Sequence, residues 1–215
     1  YMVSVVARYD GISKLSDNRW GFFPGISAGW NVHEEAFFKD SKFAEVVSLI
    51  KPRISYGLNG NVNGIGNFDV YGKYGSVGAY NGNLGYLNTG VVNSKLRWEK
   101  SHTFELGLDL GFFNNRVHMI MDYYNRTTSD LLTDVNLPEY TGFPSFKTNL
   151  GTISNRGFEL EAKVNLLTKK DWSWDVTANT SFVKNMVKKL PFNGNANNRQ
   201  GGSRYGIQNP THWFG

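Results

Sequence analysis

The stretch from Ser101 to Arg126 constrains the fold more than any other, because it contains two alternating strands and the turn between them. In both halves every second residue is apolar, and mostly polar or small residues fill the positions between. This period of two is typical of β-strands. Asn tolerates positive φ, so Asn114-Asn115 suits a two-residue hairpin turn. That turn places Leu106 opposite Tyr123, with the apolar residues of both strands on one face.

An apolar face backed by an acidic, glycine-bearing one fits either a soluble antiparallel sheet or transmembrane barrel strands. Each strand of this hairpin runs about 10 residues, the length that a tilted strand needs to cross a bilayer, whereas strands of soluble domains usually run about 5–6. Length therefore favours a barrel. The residues expected to face lipid include Leu106, Leu108, Val117, Met119, Leu160, Val164, Trp174 and Val176.

Composition is compatible with a barrel and excludes little else. The mean hydropathy is negative, and no run approaches the roughly 18 apolar residues of a membrane helix. Barrel strands place only every second residue in lipid, so the mean hydropathy of a barrel sequence is that of a polar protein. The chain has no Cys, so it uses no disulfide, and its net charge of +5 is scattered through loops. We therefore expect no nucleic-acid partner.

A second alternating segment begins at Trp20 and ends at Val32. Trp20 and Trp30 lie about 33 Å apart along this strand, or about 25 Å along the membrane normal at a tilt of about 40°. This spacing matches two aromatic girdles around a lipid-facing band, although two core tryptophans of a sandwich remain the alternative. The chain alternates from its first residues, so any export signal is expected to lie outside this sequence.

The period changes between residues 33 and 50, where Phe43, Val46, Val47 and Ile50 have helical spacing before Pro52. Residues 59–98 and 127–154 show no sustained period and are predicted to be long loops. A further hairpin spans residues 158–179. If Leu166 faces Trp172, Lys163 lies opposite Asp175.

Seven long strands joined by alternating short and long connections are typical of part of a large antiparallel outer-membrane barrel, with short periplasmic turns and long extracellular loops. We assign residues 1–185 to barrel strands and loops, and residues 186–215 to an extracellular loop or irregular stretch. Several motifs then occur in a characteristic order. They are Asn18-Arg19-Trp20-Gly21-Phe22, Ile54-Ser55-Tyr56-Gly57-Leu58, Leu96-Arg97-Trp98-Glu99, Gly107-Leu108-Asp109, Asp122-Tyr123-Tyr124 and Asn155-Arg156-Gly157-Phe158.

In this order and spacing the motifs resemble the C-terminal part of the barrel of SusC/RagA-type TonB-dependent outer-membrane transporters. The resemblance implies a 22-stranded barrel, an upstream plug and TonB box, and a SusD-like surface lipoprotein as partner. It further implies a Gram-negative outer-membrane location and energised import of oligosaccharides or oligopeptides. A passive porin and a soluble all-β binding module are the alternatives.

No motif for a catalytic, metal or cofactor site has the required spacing, so we expect neither an enzyme nor a cofactor. Charged residues of the polar strand faces are interpreted as the wall of an aqueous lumen: Glu105, Asp109, Asp122, Glu159, Glu161, Lys163 and Asp175. Tyrosines and asparagines in one loop are candidates for substrate contact, because rings and amides stack on and hydrogen-bond to sugars or peptides. They are Tyr71, Tyr74, Tyr80, Asn81, Asn83 and Tyr86.

Overall fold

The structure is a computed structural model that describes residues 1–190. Seven long strands are β1 Met2–Gly11, β2 Trp20–Gly29, β3 Val47–Asn61, β6 Glu99–Phe112, β7 Val117–Ser129, β10 Thr152–Thr168 and β11 Ser173–Lys189. They form one sheet in the order β1-β2-β3-β6-β7-β10-β11, in which all neighbours are antiparallel. The predicted all-β antiparallel architecture with seven long strands is confirmed.

Smaller elements lie in the connections. Two hairpins pair β4 Tyr74–Tyr80 with β5 Asn83–Asn88, and β8 Leu132–Asn136 with β9 Ser145–Asn149. Short helical turns are Val32–Glu34, α1 Ala36–Lys39, Lys42–Glu45 and Glu139–Thr141. β11 continues to Lys189, past residue 185 where we expected the barrel strands to end. Residues 191–215 of the expected C-terminal stretch lie outside the described part of the chain.

The hairpin of β6 and β7 has the predicted register. Leu106 lies opposite Tyr123. At the tip, Asn114 and Asn115 have φ of 57° and 61°, and the Arg116 N–H donates to the Phe113 carbonyl over 3.2 Å. Phe113 before them has a positive φ of 53° as well. Left-handed residues at the centre of a turn match the right-handed twist of the flanking strands, which explains why asparagines occupy the tip.

The register predicted for the hairpin of β10 and β11 is wrong by two residues. Lys163 lies opposite Thr177, and Asp175 lies opposite Asn165. The turn lies later in the chain than expected, because Thr168 is opposite Ser173 and the Lys169 and Trp172 backbones hydrogen-bond to each other. A bulge between Asn165 and Leu167 leaves one extra residue on β10. Lys163 and Asp175 are therefore not cross-strand partners.

The helix predicted across residues 33–50 is also wrong. Only short turns occur up to Glu45, and Val47 already begins β3. Residues 47–53 pair with β6, so cross-strand hydrogen bonds override a local spacing of apolar residues. Pro52 has no backbone N–H to donate, yet it does not end the strand. The ladder with β2 stops at Arg53. Beyond it, the Pro52 carbonyl accepts one last hydrogen bond, from the Trp30 N–H at 3.1 Å.

The sheet has two ends and two chemically distinct faces. Residues 12–19, 62–98 and 130–151 connect strands at one end, which we call the long-loop end, and residues 30–46, 113–116 and 169–172 connect them at the other, which we call the short-turn end. We call the apolar face the outer face, and one of its rows is Ile54, Leu106, Tyr123, Phe158 and Phe182. We call the polar face the inner face, and the adjacent row is Arg53, Gly107, Asp122, Glu159 and Ser181. No helix within residues 1–190 is long and apolar enough to cross a membrane, a finding that does not bear on crossing by β-strands.

A compact hydrophobic cluster lies at the long-loop end. It joins the inner-face residue Phe23 to side chains from all the loops around it, and the Phe23 and Trp98 rings meet edge to face at 5.3 Å. Its other buried members are Leu15, Val62, Ile65, Val70 and Leu96. The predicted long loop at residues 59–98 is therefore anchored by this hydrophobic cluster, which forms through contacts between residues distant in sequence.

Candidate functional site

The inner face carries an ion-pair network centred on Arg53. Its Nη2 lies 2.8 Å from Asp109 Oδ1 and 3.1 Å from Asp122 Oδ1, and its Nε donates to the same Asp109 oxygen over 3.1 Å. Both carboxylates were predicted to line this wall, whereas Arg53 was not. The alternation of Ile54, Tyr56 and Leu58 was the available signal, because it places Arg53 on the opposite face.

Gly107 makes the Arg53–Asp122 contact possible. These two residues lie on β3 and β7, on either side of β6, and Gly107 occupies the position between them. A Cβ on Gly107 would lie 2.7 Å from Arg53 Cζ and 2.6 Å from Asp122 Oδ1. The guanidinium therefore crosses the middle strand through space that only glycine leaves free.

The other predicted wall residues follow the same strand faces. Glu105 accepts a hydrogen bond from Ser55 Oγ over 3.2 Å, and Asp175 accepts one from Asn165 Nδ2 over 2.8 Å. Glu159 lies directly opposite Asp122. On β10, Glu161 and Lys163 follow at successive inner-face positions. Between β1 and β7 an open recess of about 340 Å³ includes in its lining Arg53, Ser55, Glu105, Gly107 and Asp122.

This arrangement is suited to a hydrated wall. The Asp122 carboxylate already accepts from a guanidinium, and the Asp122 and Arg53 side chains are 36% and 38% exposed. Within residues 1–190 no group of three or more His, Cys, Asp or Glu side chains is placed to hold a metal ion. Ion pairs and hydroxyl groups on an open sheet face bind water and polar solutes, and they position no nucleophile.

The predicted substrate residues lie mainly on a hairpin that we call the protruding hairpin, Tyr74–Asn88. Its two strands pair with each other and join no larger sheet among the described residues. Tyr80 and Asn83 are partners on one face, whereas Tyr86 and Tyr74 lie on the other. Asn81 is at the tip with φ of 48°, and Tyr71 lies in a turn before the hairpin. The structure therefore does not bring these residues together around one pocket.

Most of the protruding hairpin's large side chains are exposed. Tyr80 is 88% and Tyr74 75% exposed, and Val77, Leu84, Tyr86 and Leu87 are all above half. Residues 74–94 contain no charged residue. A two-stranded hairpin is only marginally stable in water, and uncharged open edges promote pairing with another chain. These properties are typical of a contact surface.

The base of the protruding hairpin is held closed. The Lys73 carbonyl accepts both the Thr89 N–H at 2.7 Å and the Thr89 hydroxyl at 3.1 Å. The Lys73 ammonium lies 2.7 Å from Asp69 Oδ1, and Lys147 Nζ of β9 lies 3.1 Å from Asp69 Oδ2. The Gly66 N–H donates to the same carboxylate over 2.8 Å.

Asp69 is therefore a buried junction between two loops, with a side chain that is 10% exposed. Burial alone would raise the pKa of the Asp69 carboxyl, but hydrogen bonds from Lys73, Gly66 and Lys147 together hold the pKa well below its ordinary value. The carboxylate stays ionised and ties residues 66–73 to β9. Sequence inspection missed Asp69 because its partner Lys147 is distant in the chain.

Asn149 provides a second junction at the long-loop end. Its Oδ1 accepts the Arg97 N–H, and its Nδ2 donates to the carbonyls of Arg97 and Asp130, each over 2.8 Å. The Arg97 guanidinium also lies 2.7 Å from Asp130 Oδ1, and this hydrogen bond raises the pKa of Arg97. Two connections, residues 62–98 and 130–151, are thus fixed to each other at the long-loop end.

Comparison with known proteins identifies the architecture. Residues 2–212 match the family model described as TonB dependent receptor-like, beta-barrel. The chain belongs to this family. Within it the relatives are of the SusC/RagA type, which confirms the resemblance seen in the sequence motifs.

Among relatives of this receptor chain, TonB-dependent receptor P3 of Formosa agariphila is 37% identical over 195 residues, which are 89% of this chain and 19% of the relative. TonB-dependent receptor SusC of Bacteroides thetaiotaomicron is 36% identical over 199 residues, with 88% and 19% covered. The structure of the RagAB peptide transporter matches with a TM-score of 0.80 and 31% identity, over 89% of this chain and 21% of that one. The receptor chain spans about a fifth of the length of these relatives.

Proposed function

We propose that this receptor chain forms part of the barrel of an outer-membrane importer of Gram-negative bacteria that takes up nutrient oligomers by a TonB-dependent mechanism. The observation that carries the proposal is the seven-stranded sheet with a continuous apolar outer face, a charged inner face and no further strand paired to β1 or β11 within residues 1–190. Unpaired strand edges in hydrocarbon cost several kcal/mol for each unsatisfied backbone group, so further strands must close the barrel.

In this proposal the inner wall lines the transport path and catalyses nothing. Arg53, Asp109 and Asp122 keep a strongly hydrated, fixed pattern of charge on the wall, while the energy for transport comes from TonB through regions outside this chain. Single substitutions of inner-face carboxylates should therefore alter uptake modestly.

The partners follow from the type of receptor. One solved relative is described as the RagAB peptide importer, and we extend import with a SusD-like surface lipoprotein to this chain. The cargo is an oligopeptide or oligosaccharide. The family match favours energised import over a passive porin, and strands of 13–17 residues in β3, β6, β7, β10 and β11 favour a membrane barrel over a soluble binding module.

The protruding hairpin is proposed to contact the cargo or the lipoprotein. Its exposed tyrosines and asparagines suit stacking and hydrogen bonding, and its uncharged surface gains stability when covered. Because its aromatic rings lie on both faces, the two faces offer separate contact surfaces.

The test removes the hairpin from the full-length transporter. Lys73 and Thr89 are already hydrogen-bonded, so a short Gly-Ser link can replace residues 74–88 without moving the base. Whole-cell uptake and pull-down of the lipoprotein are measured, and a matched variant with Gly82→Asn at the tip serves as control, because Asn tolerates the positive φ of that position. We expect the deletion to reduce capture or lid association and the control to retain both. Unchanged capture and association in the deletion would remove the hairpin's assigned role.

A further inference from the structure

On β10 and β11 the outer face changes from apolar to basic toward the long-loop end. The row of Tyr123, Phe158 and Phe182 closes the apolar band. At the next outer-face position along β10 and β11, Arg156 lies directly opposite Lys184. Both side chains are exposed. Two like charges facing each other across a ladder destabilise a sheet unless something neutralises them.

The surroundings of Arg156 supply no neutralising carboxylate. The strands on both of its sides are described, so its lateral neighbours on the outer face are known: Asn125 on β7 and Lys184 on β11. The neighbouring outer-face positions along the strands hold apolar or neutral polar residues, such as Ser154 and Met186. Within residues 1–190 neither Arg156 nor Lys184 forms a salt bridge.

The wider border has the same sign. Lys100 occupies the outer face of β6 at this end, opposite Ser129 of β7. On β6, β7, β10 and β11 the described outer-face positions beyond the apolar band contain no Asp or Glu. The acidic residues of these strands, such as Glu159 and Asp122, lie on the inner face. The carboxylates of these four strands thus lie on the inner face, whereas Arg156, Lys184 and Lys100 lie on the outer face.

The height of this border fits the headgroup region of a bilayer. Leu167 lies opposite Trp174. The distance from Arg156 to Leu167 is about 36 Å along the strand, or about 28 Å along the membrane normal at a tilt of about 40°. The apolar band of a transmembrane barrel is about 25 Å tall and is flanked by aromatic residues. With Trp174 at one interface, the paired cations lie at the opposite one.

We propose that Arg156 and Lys184 bind the phosphate group of an anionic lipid in the leaflet at the long-loop end. The Arg fork donates two parallel hydrogen bonds to phosphate oxygens, and the Lys ammonium acts as a second point charge. The phosphate removes the repulsion between the two cations, while the acyl chains lie along the apolar row of Phe158 and Phe182. The inference rests on the proposed membrane placement and not on what is transported.

The experiment uses the full-length transporter in detergent micelles. Fluorescent phosphatidylglycerol and fluorescent phosphatidylcholine are titrated separately, and inorganic phosphate is added as a competitor. The test variant is Arg156→Gln with Lys184→Gln. The matched control is Lys163→Gln, on the same strand but the inner face. A charge-keeping variant, Arg156→Lys with Lys184→Arg, controls for folding.

We expect wild type to prefer phosphatidylglycerol, and the double Gln variant to bind it roughly thirtyfold more weakly, because two basic residues near an anionic surface are removed. The Lys163→Gln and charge-keeping variants should retain the preference. An unchanged affinity in the double Gln variant overturns the proposal. Equal affinity for inorganic phosphate and for phosphatidylglycerol would also contradict the proposal, since the site would then bind a free anion and not a lipid headgroup. Loss of nutrient import with lipid preference intact would affect the proposed function alone.

Discussion

Arg53 and Asp122 are ion-paired across an intervening strand, with Nη2 and Oδ1 3.1 Å apart. Directly paired strands lie about 4.8 Å apart, so a contact across two such spacings needs a long side chain and an empty position between. Gly107 provides that position. The inner wall is thus held together by a contact that depends on a residue without a side chain.

Gly107→Ala should uncouple Arg53 from Asp122. Both side chains are more than a third exposed, so the pair contributes at most about 0.5–1 kcal/mol. A double-mutant cycle with Arg53→Gln and Asp122→Asn, read from urea unfolding in lipid vesicles, should give this coupling in wild type and about zero in the Gly107→Ala background. The coupling between Arg53 and Asp109 serves as control and should persist. An unchanged Arg53–Asp122 coupling would show that the guanidinium reaches Asp122 by another path.

Leu108→Arg should destabilise the folded barrel by about 2–4 kcal/mol, because the outer face contacts lipid near the bilayer midplane. The matched control is Asn179→Arg, an inner-face position on β11 opposite Glu161 and at similar depth. Its Arg would meet water and a carboxylate, so we expect a change below about 1 kcal/mol. Equal losses for the two variants in a vesicle-folding assay would reverse the assignment of faces.

Asp69→Asn should loosen the base of the protruding hairpin. The variant removes the ionic contacts of the largely buried Asp69 carboxylate with the Lys73 and Lys147 ammonium groups. Hydrogen exchange of the amides in residues 62–73 should become faster, while exchange in β6 and β7 stays unchanged. Protection equal to that of wild type would mean that the hydrophobic cluster alone fixes these loops.

The same carboxylate predicts an acid-sensitive loop end. The pKa of Asp69 is lower in the folded protein than the ordinary value of about 3.9, so the stabilisation is fully present above about pH 4 and is lost as the pH falls below it. Exchange of the amides in residues 62–73 should therefore change little between pH 5 and 8 after correction for intrinsic rates. Protection should fall in wild type below pH 4, whereas Asp69→Asn should show no such step.

Asn114→Ala should destabilise the β6–β7 turn by about 1 kcal/mol, because a Cβ-bearing residue without a side-chain amide is strained at a φ of 57°. Asn114→Gly is the control and should be neutral, since glycine adopts this conformation freely. Refolding yield and unfolding midpoint in vesicles report the effect. Equal stability of the Ala and Gly variants would place the strain elsewhere in the turn.

Local patterns predicted much of the sheet. Leu106 and Tyr123 could be paired from the sequence because period-two alternation and an Asn-Asn turn restrict the register to one solution. Lys163 and Asp175 could not, because alternation does not decide which of several neighbouring positions forms the turn, and it gives no sign of the bulge at Leu166. The segment before β3 was misassigned because pairing with β6 outweighs local periodicity.

The site was predictable to a smaller extent. Asp109 and Asp122 were identified because strand parity gives their face, but their shared partner Arg53 lies on a strand that is remote in sequence. Asp69, Asn149 and the Phe23–Trp98 contact depend on loops that approach one another only in the folded chain. Composition selected the tyrosine-rich loop as a candidate for substrate contact, but it gave no indication that the exposed rings divide between two faces.

The closed base at Lys73 and Thr89 separates two evolutionary pressures on the mouth of the receptor. Residues outside this base maintain a frame whose buried carboxylate and packed rings tolerate little change. The segment between Lys73 and Thr89 is attached to this frame at both ends, and its two ends are hydrogen-bonded to each other. Mutations and length changes there leave the frame intact, so the sequence of this segment can diverge without a cost to barrel assembly.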